Sequence, residues 1–362
     1  MIPPCKPVLP DADTLYSYLR EIDGNQIYTN FGPLVKRFEG RLAQRLFTDA
    51  EHIVTTASGT SALELGIMAM DLPAGSYVVL PSWTFIATAQ AVLSAGLKPF
   101  FADVAPGNWT MTPDIARAAL SNAPGPVSLV LTVSPFGVWP DMAGWEAFVQ
   151  ETGISAMVDG AAMSPDDIRP SATVPVMISL HATKLLNAGE GGAIVCRNQD
   201  YTAQIRRLSN FGLCDSGVTA RATNAKMSEY HAAMALAALD EWDDTKAAFY
   251  RIAKRYRDNL DGADELRLLP GYGEQRYNSF CLVEGIGHIR DRLHEQGIIT
   301  RPWWRKGCHR EPLFRNTPGS DNLPVTEKLA ETALGLPCYK DMEDELVDEV
   351  CETTRNLIAS RC

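Results

Sequence analysis

The sequence lacks both a hydrophobic run of membrane length and a long cluster of basic residues. No stretch approaches the roughly 20 apolar residues that a membrane-spanning helix needs. The N-terminal segment MIPPCKPVLPD has no apolar signal core. The formal net charge is −11, which argues against nucleic acid as a partner. We therefore expect neither a membrane protein nor a nucleic-acid-binding protein, and we expect a cytoplasmic location.

Paired cysteines are also lacking, because the eight cysteines are scattered and none stands in a CxxC pair. This spacing indicates neither a zinc site nor a disulfide framework, so we expect no metal and a reducing compartment. Low-complexity segments and internal repeats do not occur. The composition, 46% hydrophobic and 21% charged, is that of a globular protein. The length of 362 residues exceeds the usual size of one domain.

Short apolar runs alternate with longer amphipathic ones between residues 50 and 196. Strands separated by helices predict an α/β protein with a largely parallel sheet that is covered on both faces. Ligands of such sheets lie beyond the carboxyl ends of the strands. The predicted strands are Ser76–Leu80, Lys98–Ala102, Val127–Val133, Ser155–Asp159, Val174–Leu180 and Ala193–Cys196, and the predicted helices are Thr60–Met70, Phe85–Ala95, Pro113–Ser121 and Met142–Thr152.

The second half of the chain has a different pattern. A helix is predicted over Gln199–Ser209, and a long helical stretch over about Ser228–Leu260 would connect two lobes. The remainder predicts a smaller α+β lobe. We divide the chain into a large domain over residues 1–245 and a small domain over 246–362. Strands of the small lobe are predicted near Tyr277–Val283 and Ile298–Trp303, and helices near Gly287–Gln296 and Asp344–Ala359.

The segment 174–196 reads as strand, glycine-rich loop, strand, and Lys184 follows the first strand. Desolvation between packed strands lowers the pKa of a lysine and makes its amine a nucleophile. Such an amine forms a Schiff base with a carbonyl, and pyridoxal phosphate is the commonest biological carbonyl of this kind. The alternative is a solvated loop lysine.

Other residues near strand ends allow two interpretations each. Asp159 either pairs with a protonated pyridine nitrogen or caps a turn. Trp83 either stacks on a flat ring or packs in the core. Ser58 and Gly59 open a helix, which either binds an anion with its free amides or is simply capped.

The chain contains a series of motifs in the same order as the DegT/DnrJ/EryC1/StrS family, and it therefore resembles that family. Its members are aminotransferases that depend on pyridoxal phosphate and act mostly on keto sugars carried on nucleotides. The resemblance covers nearly the whole chain. The motifs are YTNFGP at 28–33 with Phe38-Glu39, SGTSAL at 58–63, PSWTFIAT at 81–88, FADV at 101–104, Asp159, SLHATK at 179–184, GEGG at 189–192, NAKMSEYHAA at 224–233, His309 and Leu336-Pro337.

The resemblance implies the type I aminotransferase fold, with a large, mostly parallel, seven-stranded α/β domain and a smaller α+β domain. Lys184 would carry the cofactor and act in catalysis together with Asp159, which would pair with the pyridine nitrogen. Trp83 would stack on the ring. The phosphate would be bound by Ser58, Gly59, Thr60 and Ser179, and by Asn224 from the other subunit. A homodimer with shared active sites is therefore implied.

The sequence departs from the family at two positions. Ala162 stands where the family usually has Gln or His touching the cofactor, and Lys226 stands where Arg is frequent. Lys226, Trp304 and His309 are the candidate substrate contacts. The stretch from Trp303 to Lys306 either contacts a nucleotide diphosphate or is a solvated edge.

By this resemblance the protein would transfer the amino group of L-glutamate to a keto sugar. The acceptor would be a dTDP- or GDP-linked 4-keto- or 3-keto-6-deoxyhexose, used in glycan or secondary-metabolite biosynthesis. A regulator that binds pyridoxal phosphate, or an aminotransferase with a non-nucleotide acceptor, is the alternative. Relatives that dehydrate the 3-position of a sugar replace the lysine with histidine, so Lys184 argues against that reaction.

Overall fold

A seven-stranded sheet organises the first two thirds of the described chain. The computed structural model describes residues 1–263, 266–274, 278, 280–304 and 306–360. The strands of the large sheet are β1 (Ile53–Thr56), β2 (Tyr77–Pro81), β3 (Lys98–Ala102), β4 (Val127–Val133), β5 (Ser155–Asp159), β6 (Val176–Ser179) and β7 (Gly192–Val195). Each strand predicted from the sequence in this region is present, with bounds shifted by at most two residues.

Helices cover the two faces of this sheet, and their starts follow local sequence signals. In the helix Pro113–Leu120, the Thr112 side chain caps the N-terminus by accepting a hydrogen bond from the Ile115 amide, and Pro113 occupies the first helical position. The helices are α1 (Ala12–Asn25), α2 (Pro33–Arg45), α3 (Gly59–Ala69), α4 (Ile86–Ser94), α5 (Pro113–Leu120), α6 (Met142–Thr152), α7 (Gln199–Leu208), α8 (Glu229–Asp240), α9 (Trp242–Leu260), α10 (Arg290–Glu295), α11 (Pro324–Thr332) and α12 (Asp344–Ala359).

Strand order in the large sheet is β1-β7-β6-β5-β4-β2-β3. The five strands from β6 to β3 are mutually parallel, whereas β7 runs antiparallel to both of its neighbours. The chain leaves β2 for the edge strand β3 and then returns to β4 on the other side of β2. Such a reversal opens a crevice at the carboxyl ends of β2 and β4. The expectation of a largely parallel sheet is confirmed.

A separate antiparallel sheet lies in the last third of the described chain, with β10 (Arg267–Leu268), β11 (Cys281–Glu284), β12 (Arg301–Pro302) and β13 (Leu334–Leu336) in the order β10-β11-β13-β12. Both predicted strands of the small lobe are present but shorter, and Tyr277 lies outside the described residues. Helix α9 runs through the predicted domain boundary at residue 245, so the division at that residue stays a prediction. A short hairpin, β8 (Leu213–Cys214) and β9 (Gly217–Val218), precedes α8.

The predicted connector helix is two helices, because the chain breaks at Glu241 between α8 and α9. No glycine or proline marks this break. The signal that was available is the pair Asp243-Asp244 in the first turn of α9, since acidic residues favour helix N-termini. The elements that were not predicted from the sequence are β1, β8, β9, β10, β13, α1, α2 and α11. Within the described residues, no helix has the length and apolar character required to cross a membrane.

Glu229, in the first turn of α8, holds the N-terminal arm onto the large domain. Its two carboxylate oxygens accept hydrogen bonds from the amides of Leu34 (2.8 Å) and Val35 (2.9 Å) at the start of α2. A Cβ on Gly32 would lie 2.6 Å from the Glu229 carboxyl carbon, so only glycine allows this approach. A buried carboxylate thus caps a helix that is distant in sequence, and this one contact explains why glycine and glutamate occur in two separate motifs.

Replacing Glu229 with Ala should lower the free energy of unfolding by about 2–4 kcal/mol, because two buried amides lose a charged acceptor. Glu229→Gln keeps one acceptor oxygen and should cost less. Urea denaturation measures both changes. Glu21→Ala, which breaks an exposed ion pair with Arg37, is the matched control and should cost less than about 1 kcal/mol. Equal losses in Glu229→Ala and Glu21→Ala would contradict the capping role.

Candidate active site

A cavity of about 430 Å³ lies beyond the carboxyl ends of the parallel strands. Its floor includes Val133 at the end of β4, Asp159 at the end of β5 and Ser179 at the end of β6. Arg301 on β12 and Phe280, directly before β11, also line the cavity and bring the small sheet to it. The cavity therefore occupies the place at which open parallel sheets bind their ligands.

Lys184 lines this cavity with an amine that has no partner among the described residues. The backbone of the loop is fixed: the amide of Lys184 donates to the carbonyl of His181 (2.8 Å), and the side-chain amide of Asn187 donates to the carbonyl of Lys184 (3.4 Å). Burial lowers the pKa of the Lys184 amine below its ordinary value; the charge of Asp159 opposes this shift and that of Arg301 adds to it. The result is a positioned amine that is neutral at lower pH than an exposed lysine.

Asp159 is buried, with 5% of its surface exposed. Its Oδ2 accepts a hydrogen bond from Thr88 Oγ1 (2.7 Å), and its Oδ1 accepts one from the amide of Ala161 (3.1 Å). Burial raises the pKa of Asp159, whereas the two hydrogen bonds and the charge of Lys184 act to lower it. A carboxylate in this position gains stability from any cation that enters the cavity.

The N-terminus of α3 forms another part of the floor. Ser58 caps the helix by accepting from the amide of Ser61 (3.1 Å), and Ser58, Gly59 and Thr60 all line the cavity. A Cβ on Gly59 would lie 3.1 Å from the Cβ of Ser179, so glycine lets the helix start press against the end of β6. Helix amides and neighbouring hydroxyls in this arrangement suit a phosphate group.

Aromatic rings form one wall of the cavity. Phe136 and Trp304 stack with ring centroids 4.8 Å apart, and Trp303 packs edge-on against Phe280 at 4.6 Å. Phe136 (φ 52°) and Trp304 (φ 41°) both have left-handed backbone conformations, which cost energy in residues with bulky side chains. These backbone conformations bring the two rings together: Phe136 comes from the loop after β4, and Trp304 comes from the loop after β12.

Two predicted site residues do not reach the cavity. Trp83 is fully buried and packs edge-on against Trp304 at 4.9 Å, whereas Phe85, two residues later, lines the cavity and is 58% exposed. His309 is also buried, with its Nδ1 bound to Ser82 Oγ (2.7 Å). Neither side chain lines the cavity of its own chain: Trp83 packs in the core, and His309 attaches its loop to the large sheet.

Lys226 and Asn224 also lie outside the cavity of their own chain. Lys226 is buried and donates to Asn224 Oδ1 (2.7 Å) and Asn210 Oδ1 (2.8 Å), so it is not placed to contact a substrate within the same chain. Asn224 is exposed. Trp304 is the one candidate substrate contact of the three that lines the cavity, and Arg305 lies outside the described residues.

Residues 11–355 match the family model described as the DegT/DnrJ/EryC1/StrS aminotransferase family. The chain belongs to this family. The predictions of an aminotransferase and of the type I fold are thereby confirmed. A structural relative supports both: the crystal structure of DesI in the presence of its TDP-sugar product has a TM-score of 0.88 and 31% identity, covering 99% of this chain and 93% of DesI.

Of two further relatives, one is named as a transaminase and the other as a sensory transduction protein. The dTDP-4-amino-4,6-dideoxy-D-glucose transaminase of Escherichia coli is 27% identical over 366 residues, which cover 96% of each chain. EryC1 of Saccharopolyspora erythraea, named an erythromycin biosynthesis sensory transduction protein, is 28% identical over 349 residues, or 93% of each chain.

Three residues in or beside the cavity were not predicted from the sequence: Phe85 and Arg301 line it, and Thr88 is buried and donates to Asp159. Thr88 follows Thr84 by one helical turn, and the two hydroxyls lie 2.7 Å apart; this spacing of hydroxyls in front of a buried carboxylate is a signal that could have been used. Phe85 stands in the same motif as Trp83. Arg301 shows no sequence signal, because its place in the cavity depends on how the small sheet packs.

Unequal losses of stability in two aromatic substitutions should test this placement of Trp83 and Phe85. Trp83→Ala should lower the free energy of unfolding by about 3–5 kcal/mol, as the loss of a large core side chain does. Phe85→Ala should cost less than about 1 kcal/mol, because that ring is mostly exposed. Chemical denaturation followed by circular dichroism measures both. The assignment of Trp83 to the core fails if Trp83→Ala is as stable as Phe85→Ala.

Proposed function

We propose that this aminotransferase uses pyridoxal phosphate to move the amino group of L-glutamate to a nucleotide-linked keto sugar. The observation that carries the proposal is the cavity itself, in which an unpartnered lysine amine, a buried carboxylate and a helix N-terminus come together. The acceptor would be a dTDP- or GDP-linked 3-keto- or 4-keto-6-deoxyhexose. The names of DesI's ligand and of the Escherichia coli relative support a dTDP sugar.

The chemistry of the lining residues fits pyridoxal phosphate. The start of α3 and Ser179 would bind the phosphate. Asp159 would hold a proton on the ring nitrogen, and this protonated nitrogen would be the positive charge that stabilises the buried carboxylate. Phe85 replaces Trp83 as the aromatic side chain placed to contact the ring. When bound, pyridoxal phosphate supplies an electron-withdrawing ring that stabilises negative charge at the α-carbon of the donor.

Lys184 would perform the proton transfers. Its amine has no internal hydrogen bond and a lowered pKa, so it can accept a proton from the donor's α-carbon and release it to an atom nearby in the cavity. The loop bonds to His181 and Asn187 hold the backbone of Lys184 while the side chain moves. Thr88 and the Ala161 amide donate to Asp159 and thereby favour its ionised form.

The acceptor would lie against the aromatic wall. The apolar face of a sugar ring packs well on an indole, and Trp303 and Trp304 are partly exposed in this wall. Ala162 also lines the cavity, and its carbonyl accepts from Asn278 Nδ2 (3.2 Å). The small side chain at 162 leaves room there that the Gln or His of other members would fill.

A homodimer would complete the site. Asn224 is exposed and lies outside its own cavity, which suits a residue that reaches the phosphate in a second subunit. Exposed apolar side chains surround it in sequence: Phe211, Leu213, Val218 and Tyr230. Apolar groups of this number on one region favour a protein interface.

A cytoplasmic location is part of the proposal. The seven cysteines within the described residues are all free thiols, and most of them are buried. Free thiols in this number suit a reducing compartment.

Lys184→Ala should abolish amino transfer from glutamate, with a loss of at least about 10²–10⁴-fold. In the wild type the rate should rise with pH, because the neutral amine is the base, and the midpoint should lie below the ordinary value of 10.5 because burial lowers the pKa of Lys184. Stopped-flow absorbance of the glutamate half-reaction measures this, with the exposed Lys98→Ala as control. Wild-type rates in Lys184→Ala would refute the assignment, and no reaction in the wild type would favour a regulator.

Mixing two inactive variants should restore activity if the active sites are shared. A heterodimer of Lys184→Ala and Asn224→Asp contains one site with both native residues and one with neither, so random exchange should give about a quarter of the wild-type activity. Coupled assay of the exchanged mixture measures the recovery. Mixing Lys184→Ala with Asp159→Asn is the control, because both residues lie in one chain's cavity and no site is restored. Absence of recovery in the first mixture would contradict the shared site.

A further inference from the structure

Arg301 is a cation on the cavity wall that the assigned roles leave unused. It lies on the edge strand β12, paired with Gly335 of β13, and its side chain lines the cavity. The guanidinium carbon lies 4.7 Å from the centroid of the Trp303 indole and 5.8 Å from that of the Phe280 ring. Two aromatic faces therefore hold the planar group in place while its N–H edge stays available.

The guanidinium of Arg301 has no hydrogen bond and no ion pair with any residue that the structure describes. Arg267, on the same small sheet, provides the contrast: it also lies over an indole, that of Trp109, but it is paired with Glu284. In a chain with net charge −11, acidic side chains are plentiful. An arginine that lines the same cavity as Lys184 and has no internal anion is placed to bind an anion from solution.

We propose that Arg301 binds a carboxylate of the amino-acid donor through paired N–H···O hydrogen bonds. The proposal rests on the proposed function. The donor must bring its α-carbon to Lys184, and its α-carboxylate is attached directly to that carbon. Arg301 and Lys184 line the same cavity.

The phosphates of a nucleotide sugar fit this position less well. They are attached to the sugar's first carbon, several bonds from a keto group at the 3- or 4-position, and so they lie farther from Lys184 when that keto group reacts. Arg301 would therefore act on the donor half of the reaction and leave the acceptor half largely unaffected. Because the two halves are separate events, kinetics can distinguish them.

The test is binding of glutarate, an unreactive dicarboxylate, to the cofactor-loaded protein by isothermal titration calorimetry. Arg301→Gln should weaken binding about tenfold to a hundredfold, the loss expected for a hydrogen-bonded charged pair. Arg301→Lys keeps the positive charge but loses the paired N–H donors, so its affinity for glutarate should lie between those of the wild type and Arg301→Gln. Arg267→Gln, the matched control, should bind glutarate as the wild type does. In the half-reactions, Arg301→Gln should raise KM for glutamate by a similar factor and leave KM for the acceptor unchanged.

Each other outcome overturns the proposal. Equal glutarate affinity in the wild type and Arg301→Gln, or no binding by the wild type, would remove the carboxylate site. A rise in KM for the acceptor alone would assign Arg301 to the acceptor's phosphates, and a loss of cofactor affinity would assign it to the cofactor. Failure of the proposed function is distinguishable, since glutarate would then bind through Arg301 while glutamate gives no amino transfer.

Discussion

The structure depends on one electrostatic constraint: a lysine amine and an aspartate carboxylate are both buried in one cavity. Burial disfavours the charged form of each group, lowering the pKa of Lys184 and raising that of Asp159. The two groups are not paired with each other within the described structure. Thr88 and the Ala161 amide donate to Asp159 and favour its charged form, and the Lys184 amine has no hydrogen-bond partner among the described residues.

The parallel sheet makes this arrangement possible. Lys184 and Asp159 are 25 positions apart in the sequence, but they follow the neighbouring strands β6 and β5, whose carboxyl ends lie side by side. The reversal of the chain between β3 and β4 opens the crevice at that edge. Several residues of the family motifs do not face the cavity but secure the elements around it. Glu229 caps α2, and Asp103 accepts hydrogen bonds from the amides of Val325 and Thr326 at the start of α11.

The sequence predicted the central strands and the residues at their ends well, because alternation of apolar strands and helices fixes which residues meet at one edge. Lys184, Asp159, Ser179 and Thr60 all line the cavity. The sequence could not predict whether Trp83 or Phe85 faces the cavity. The direction of each side chain is set by a tight turn after β2, in which the Thr84 amide donates to the Ser82 carbonyl (3.0 Å). Arg301 could not be found either, because its position follows from packing between the two sheets.

The protonation state of the cofactor's ring nitrogen tests the central claim most directly. Nuclear magnetic resonance of protein loaded with ¹⁵N-labelled pyridoxal phosphate reports it from the nitrogen chemical shift. The account predicts a protonated nitrogen at neutral pH in the wild type and loss of that proton in Asp159→Asn, which keeps the shape of the side chain but not its charge. An unprotonated nitrogen in the wild type, or the same shift in both proteins, would contradict the account.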